Sequence, residues 1–598
     1  MSRLAGILIL LLALPANAEF QYRTLGQIGD ELRDLAGKDH TRLMVLAKTP
    51  GGRDVWLLSL GNEDSKLPAV LLVANMEGNS PLATAAAMEL SRRLLSVWKD
   101  DLKSRRWYIL PVGNPDGYAN FFKQPRFERY TNDRPFNDDY DDRTDEDGPE
   151  DLNSDGYITL MRQAHPEGEW MPVEKNPVLM KKADSGKGEK GVYRVFTEGV
   201  DNDKDGQYNE DGPGGTNPGR NFPHNFTHYT RTDGPWAASE PAARAVLEFA
   251  FDHPGIGMLI VFGNSNSLKK VPEGKKAEAA GDKYKVPERI AKRMGLDPEV
   301  EYPLKDLVQM GREHTGYKEL TADMVLQFLG VGAASKPDQK DLAYWNEISK
   351  RYNEFIKQAG LDQPRLDPPG FPSGSVDEWG YYQYGVPTFS LDFWSLPVKK
   401  DEKEEKKSQM PQEGKPPEVP PVDPAEQALY EFDNNAFLAW KPYNHPTLGK
   451  VEIGGKIPWA HLLPSPAGVK ELLDKQLPFV RELSGMLARI EIAKVEVTPR
   501  GAGVWKLEAW VENRGFLPYP THQGERCRRP PPVAVTLEGG ALLEGKQRKV
   551  LKLLPGSGGA GKAAWVLRAK AGSRVTVTAQ GFAAGSDRKV VKLTGGGK

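Results

Sequence analysis

Across residues 22–489, short apolar runs alternate with amphipathic stretches, and this alternation constrains the fold of the 598-residue chain more than any other feature. The runs 55–60, 69–74, 107–112, 258–262 and 388–393 read as buried strands. The stretches 81–98 and 240–251 read as helices, the second with Ser239 as N-cap and Pro241 in its first turn. Strand–helix alternation of this kind predicts an α/β domain with a largely parallel sheet over 19–489. Near residue 490 the period changes. Segments 494–498, 504–511, 533–537, 563–567 and 573–578 alternate in steps of two between glycine-bearing turns. That pattern predicts a small all-β sandwich of immunoglobulin-like type over 490–598.

Three stretches interrupt the first domain. Residues 132–214 form an acidic insertion, 268–369 a mostly helical one, and 399–424 a lysine-, glutamate- and proline-rich segment expected to be disordered. The last reads as a loop within the first domain, with an interdomain linker as the competing reading. Residues 1–18 carry Arg3, an apolar run from Leu4 to Leu14 and an Ala16-Asn17-Ala18 cleavage pattern, which predicts a signal peptide. The protein is therefore expected to be secreted or periplasmic. That apolar run is shorter than the roughly 20 residues needed to cross a bilayer, so no transmembrane segment is expected. With 80 basic and 82 acidic residues the chain lacks the excess positive charge of a nucleic-acid binder. One cysteine excludes an intramolecular disulfide, and nine histidines leave few ways to build a transition-metal site.

The acidic insertion carries two loops with cation-binding spacing. In the first, Asp151, Asn153 and Asp155 stand at alternate positions before Gly156; in the second, Asp201, Asp203 and Asp205 precede Gly206. Alternate oxygen donors followed by a turn-making glycine resemble the start of an EF-hand loop, so calcium is the expected ion. Position twelve holds Arg162 and Gly212 rather than glutamate, and nearby acids such as Asp145, Asp147, Glu210 and Asp211 are the candidate replacements. A solvated acidic face is the alternative.

Several motifs occur in order: Asn75-Met76-Glu77-Gly78-Asn79-Ser80, Asn114-Pro115-Asp116-Gly117, Gly219-Arg220-Asn221-Phe222, Ser239-Glu240-Pro241, Phe262-Gly263-Asn264-Ser265 and Gly385-Val386-Pro387-Thr388-Phe389-Ser390-Leu391-Asp392. Together they resemble the zinc carboxypeptidases of the M14 peptidase family, over about residues 20–490. The resemblance implies a carboxypeptidase-like mixed central sheet flanked by helices and zinc-dependent hydrolysis of C-terminal residues of peptides, with the site at the C-terminal ends of the strands. It also implies roles for single positions. The three zinc-ligand positions read Glu77, Ser80 and Asn264, and the general base reads Asp392. Arg220 matches the arginine that clamps the substrate carboxylate, and Arg129 or Arg126 matches a second arginine. Phe371 lies nearest the position of the family's mobile tyrosine.

Glu77, Ser80 and Asn264 offer hard oxygen donors, which suit calcium or magnesium better than zinc. Two functions follow from this reading: a metallocarboxypeptidase-like hydrolase, or a non-catalytic pseudo-peptidase binding peptide or cell-wall termini through Arg220. A protein partner is expected for the β domain. A third reading is a calcium-stiffened structural scaffold. His522, Glu525 and Cys527 form a minor metal candidate, and His445 reads as a loop-packing residue.

Overall fold

The computed structural model describes residues 20–594 apart from 63–65, 136–143, 145–147, 149, 203–207, 209–214, 229, 273–282, 287–290, 292–293, 299, 316–319, 321, 323–324, 327–328, 330–336, 368–371 and 399–421. The signal-peptide stretch, Asp203, Asp205, Phe371 and most of the 399–424 segment lie outside the described residues.

A six-stranded sheet forms the centre, in the order Thr41–Lys48, Asp54–Leu60, Arg106–Leu110, Ala69–Ala74, Ile256–Phe262, Thr388–Leu391. The first two junctions are antiparallel and the last three parallel. Ala69–Ala74 is buried at every position because helices cover both faces. Leu58, Leu72, Ile109 and Ile260 face one layer, which includes Ile28, Leu90 and Val480 from helices Leu25–Ala36, Pro81–Leu94 and Pro466–Gly485. Their chain neighbours Leu57, Leu71, Tyr108 and Leu259 point the other way, onto Val246 of helix Pro241–Asp252. The predicted helix start shifts by one residue. Glu240, not Ser239, is the N-cap, while the Ser239 hydroxyl donates to Glu240 and accepts from Asn221.

The acidic insertion contributes strands that its composition did not suggest. Leu160–Ala164, Trp170–Val173, Asn176–Lys182 and Tyr193–Thr197 join Phe437–His445 and Gly449–Lys456 in a second six-stranded sheet. Arg162 pairs with Glu452 at 2.8 Å across this junction of distant segments.

The C-terminal region consists of two four-stranded antiparallel sheets around Trp505, Leu507, Val535, Trp565 and Val577. Alternate residues of Val504–Asn513 are buried, as a sheet with one covered face requires. A helical turn over His522–Cys527 interrupts the strands, where none was expected. It docks against the first domain. The buried Asp341 accepts the backbone N–H groups of His522 and Gln523 at 2.9 and 3.0 Å, and the Tyr381 hydroxyl at 2.9 Å. Gln523 and Cys527 both donate to the Tyr382 carbonyl within the π-helical turn Gly380–Tyr384. The His522 backbone and the Cys527 thiol thus serve docking, and among the described residues no group of three His, Cys, Asp or Glu side chains forms around them.

Candidate functional site

Three parallel strands end side by side, and the residues that follow them line two adjoining cavities. Glu77 and Ser80 follow Ala69–Ala74, Asn264 follows Ile256–Phe262, and Asp392 follows Thr388–Leu391. The turn after the first strand is tight: Asn75 and Gly78 have φ of 53° and 78°. A Cβ at Gly78 would lie 2.7 Å from Gly117 Cα, so only glycine lets the Asn114–Gly117 turn cross here. The Asn75 side chain holds the loop, accepting from Ser80 N and donating to Thr84 Oγ1.

Glu77, Ser80 and Asn264 line one cavity of about 130 Å³, together with Gly219, Ser265, Ser375 and Asp377. Asn264 Nδ2 donates to Glu77 Oε2 at 2.5 Å and to Asn79 Oδ1 at 3.2 Å. Burial pushes the Glu77 carboxyl above its usual range, against the Asn264 hydrogen bond and the nearby Arg220 charge. Gly219 packs on the Glu77 stem, where a Cβ would sit 2.9 Å from Cγ. The Arg220 guanidinium is about one third exposed, its Nε 3.2 Å from Asp233 Oδ1.

Asp377 was not singled out from the sequence. It sits near the start of the short helix Val376–Trp379, capped by Ser375, and reaches the cavity wall. Burial pushes its carboxyl up to about 7; Ser390 and Ser265 pull the value down and Glu77 pushes it further up. The Asp377-Glu378 pair after a capping serine was the available signal, but nothing local to it points toward Glu77, three hundred residues earlier.

Asp392 lines an adjoining cavity rather than this one. Its Oδ1 accepts from Asn266 Nδ2 at 2.5 Å, and burial raises its pKa against the opposing effects of Asn266, Lys269 and Arg365. Arg129 is not on the wall of either cavity. Its side chain is 9% exposed and is spent on its own loop, donating to Thr131 Oγ1, the Asn132 carbonyl and Asp133 Oδ1. Asp116 is likewise structural: buried, it accepts from Thr49 Oγ1, Arg53 and the backbone N–H groups of Gly51 and Asp133.

Zinc, which the resemblance implies, takes nitrogen, sulfur or carboxylate donors in a tight tetrahedron. The three positions supply one carboxylate, a hydroxyl and an amide, and the amide N–H group is turned onto the carboxylate oxygen. Among the described residues, no three His, Cys, Asp or Glu side chains converge in a group that holds a metal. This donor set does not fit zinc.

In the acidic insertion, Asp151 accepts from the backbone of Asp155 and Gly156, Asn153 from Asp155, and Asp155 from Tyr157. The buried Glu198 ties the loop down, accepting from Leu152, Asn153 and both Thr159 donors. Asp201 lies at the end of the next segment.

Residues 489–592 match a domain family of unknown function. No curated protein matches the chain. Among solved structures, bovine thrombin-activatable fibrinolysis inhibitor in complex with tick carboxypeptidase inhibitor is 12% identical, with a TM-score of 0.36, covering 78% of this chain and 96% of that one. The carboxypeptidase A of Helicoverpa armigera is 14% identical, with a TM-score of 0.33, covering 64% and 67%. The metallo-carboxypeptidase from Pseudomonas aeruginosa is 11% identical, with a TM-score of 0.29, covering 78% and 71%. The zinc carboxypeptidase model of the M14 peptidases matches residues 29–394, and the chain belongs to that family.

Proposed function

We propose that this chain is an exported, non-catalytic member of its family that binds the carboxylate end of a peptide or cell-wall fragment through Arg220. The observation that carries this reading is the contact between Asn264 and Glu77, which pairs two ligand positions with each other. Without a Lewis acid to polarise a carbonyl or acidify water, the site lacks the family's source of a nucleophile. Arg220 remains partly exposed beside the cavity and offers a charge-assisted, two-point partner for a carboxylate. Metal analysis of the purified protein, combined with a screen of peptide and cell-wall-fragment hydrolysis, tests this. No stoichiometric zinc and no turnover are expected, with binding that weakens about tenfold or more in Arg220→Ala. One tightly held zinc per chain, or turnover abolished by Glu77→Ala, overturns it.

The acidic loops belong to the same reading as calcium sites that stiffen the insertion. Support comes from the alternating Asp151, Asn153 and Asp155 oxygens around a glycine with φ of 88°, and from the like spacing at 201–205. The C-terminal region is proposed as the docking surface for a protein partner.

A further inference from the structure

Arg220 does not stand beside the cavity unsupported. Asp233 Oδ1 lies 3.2 Å from its Nε and is its only carboxylate partner at ion-pair distance among the described residues. The Nε atom is closed off from solvent, so the exposed third of the Arg220 side chain belongs to its other atoms. A guanidinium offers donors along its Nε edge and at its Nη1–Nη2 end. With the Nε edge against Asp233, the Nη1–Nη2 end is left to meet a carboxylate at two points.

Asp233 is fully buried, at 0% exposure. Its Oδ1 accepts from Thr232 Oγ1 at 3.3 Å, and its Oδ2 has no hydrogen-bond partner among the described residues. A carboxylate withdrawn from water with so few donors adds little to stability, because desolvation offsets what one ion pair contributes. Packing alone would be served better by an apolar residue of similar size.

The two segments that carry the pair are locked together through the main chain. Asn221, next to Arg220, donates to the carbonyls of Asp233 at 2.7 Å and Trp236 at 3.1 Å. Asn217 N donates to the Thr232 carbonyl at 2.7 Å, and Asp233 N to Thr230 Oγ1 at 3.1 Å. Gly234 has φ of 91°, and a Cβ there would lie 2.7 Å from Asn221 Nδ2 and from Ser239 Oγ, which excludes any side chain. The distance between Asp233 and Arg220 is therefore set by the loop and not by a ligand.

We propose that Asp233 is a positioning residue for carboxylate binding: by holding the Nε edge of Arg220 it turns the Nη1–Nη2 end toward the bound carboxylate. This rests on the carboxylate-binding role of Arg220 and adds the residue that orients it. Asp233 acts on an incoming carboxylate in two opposed ways. Its charge repels the ligand, while its oxygen orients the guanidinium. Asparagine keeps the acceptor oxygen and removes the charge, whereas alanine removes both. Positioning therefore predicts that these two variants part company.

Calorimetric titration of the full chain with acetyl-Ala-Ala and acetyl-Ala-Ala amide tests the assignment. The parent is expected to bind the acid at least about tenfold tighter than the amide. Asp233→Asn keeps that preference. Asp233→Ala loses it, with the acid bound about tenfold more weakly than by the asparagine variant and the amide bound alike by all three. Asp233→Leu, which fills the space without an acceptor, is expected to match Asp233→Ala and so removes a void as the cause. Acid preference intact in the alanine and leucine variants overturns the positioning role and leaves the carboxylate reading standing. Loss of the preference in the asparagine variant too, or a joint loss of acid and amide binding that marks a collapsed loop, also overturns it. A parent that binds neither probe, or ignores the carboxylate, overturns both readings.

Discussion

Two clusters of carboxylates in this molecule are built on opposite principles. In the loop from Asp151 to Tyr157, each acid lies within a few residues of the backbone N–H groups it accepts from, and the loop is partly exposed. At the strand ends, Glu77 and Asp377 come from distant parts of the chain and are buried in one wall. The first cluster is organised by local turns and water. The second is organised by the sheet, which buries two acids in one wall, and that burial raises the pKa of both. Local sequence can specify the one; only the fold can specify the other.

The comparison breaks most sharply if the residues at the three ligand positions are not what keeps zinc out of the buried cluster. Glu77→His, Ser80→Glu and Asn264→His in one chain place two nitrogen donors and a carboxylate at the three positions, a set that zinc takes. Zinc binding tighter than about 1 μM is expected, roughly 8 kcal/mol that the parent lacks, measured by competition with a chromogenic chelator. Failure of the triple variant to take up zinc would show that the strand ends do not present these positions as described.

Next in size is the pH dependence of the buried pair. Asp377 holds its proton in the folded state up to about 7, whereas the unfolded chain releases it near 3.8, so folding stability falls as pH rises between these values. The fall amounts to about 4 kcal/mol for this group, and Asp377→Asn is expected to flatten that part of the curve in urea titrations. An unchanged slope in the variant would contradict it.

On the loop side, Glu198→Ala strips the acceptor from four donors and is expected to cost about 3 kcal/mol, read as a lowered melting temperature. A loss within 0.5 kcal/mol, about what a neutral surface change gives, would show that Glu198 is not what anchors the loop. The smallest expected effect is calcium itself: 10 mM calcium should stabilise the chain by about 2 kcal/mol if the loops bind in the millimolar range or tighter. A melting temperature indifferent to calcium and chelator would leave the loops as solvated turns.

Much of the fold was legible because it follows from local pattern. The Ala69–Ala74 and Ile256–Phe262 strands show as apolar runs, and the C-terminal strands as period-two alternation. The sheet shared by 160–197 and 437–456 was not legible, since its pairing spans about three hundred residues and three of its inner strands are only four or five residues long. The meeting of Glu77, Ser80 and Asn264 was legible through motif order, whereas Asp377 was not, because burial against Glu77 leaves no trace in neighbouring residues. Arg129 illustrates the converse: a position read as ligand-facing has its guanidinium committed to Thr131, Asn132 and Asp133.

The docking turn His522–Cys527 has a consequence for where this chain can be cut. Asp341 is buried and receives two of its N–H donors from residues 522 and 523. Ending the chain at residue 489 would leave that carboxylate inside the first domain with the Tyr381 hydroxyl as its remaining described donor. The same cut would uncover the back of the Gly380–Tyr384 turn, whose preceding helix bears Asp377. The C-terminal sheets are in this sense part of the foundation under the cavity, and a stable piece of this protein is expected to need residues beyond 489.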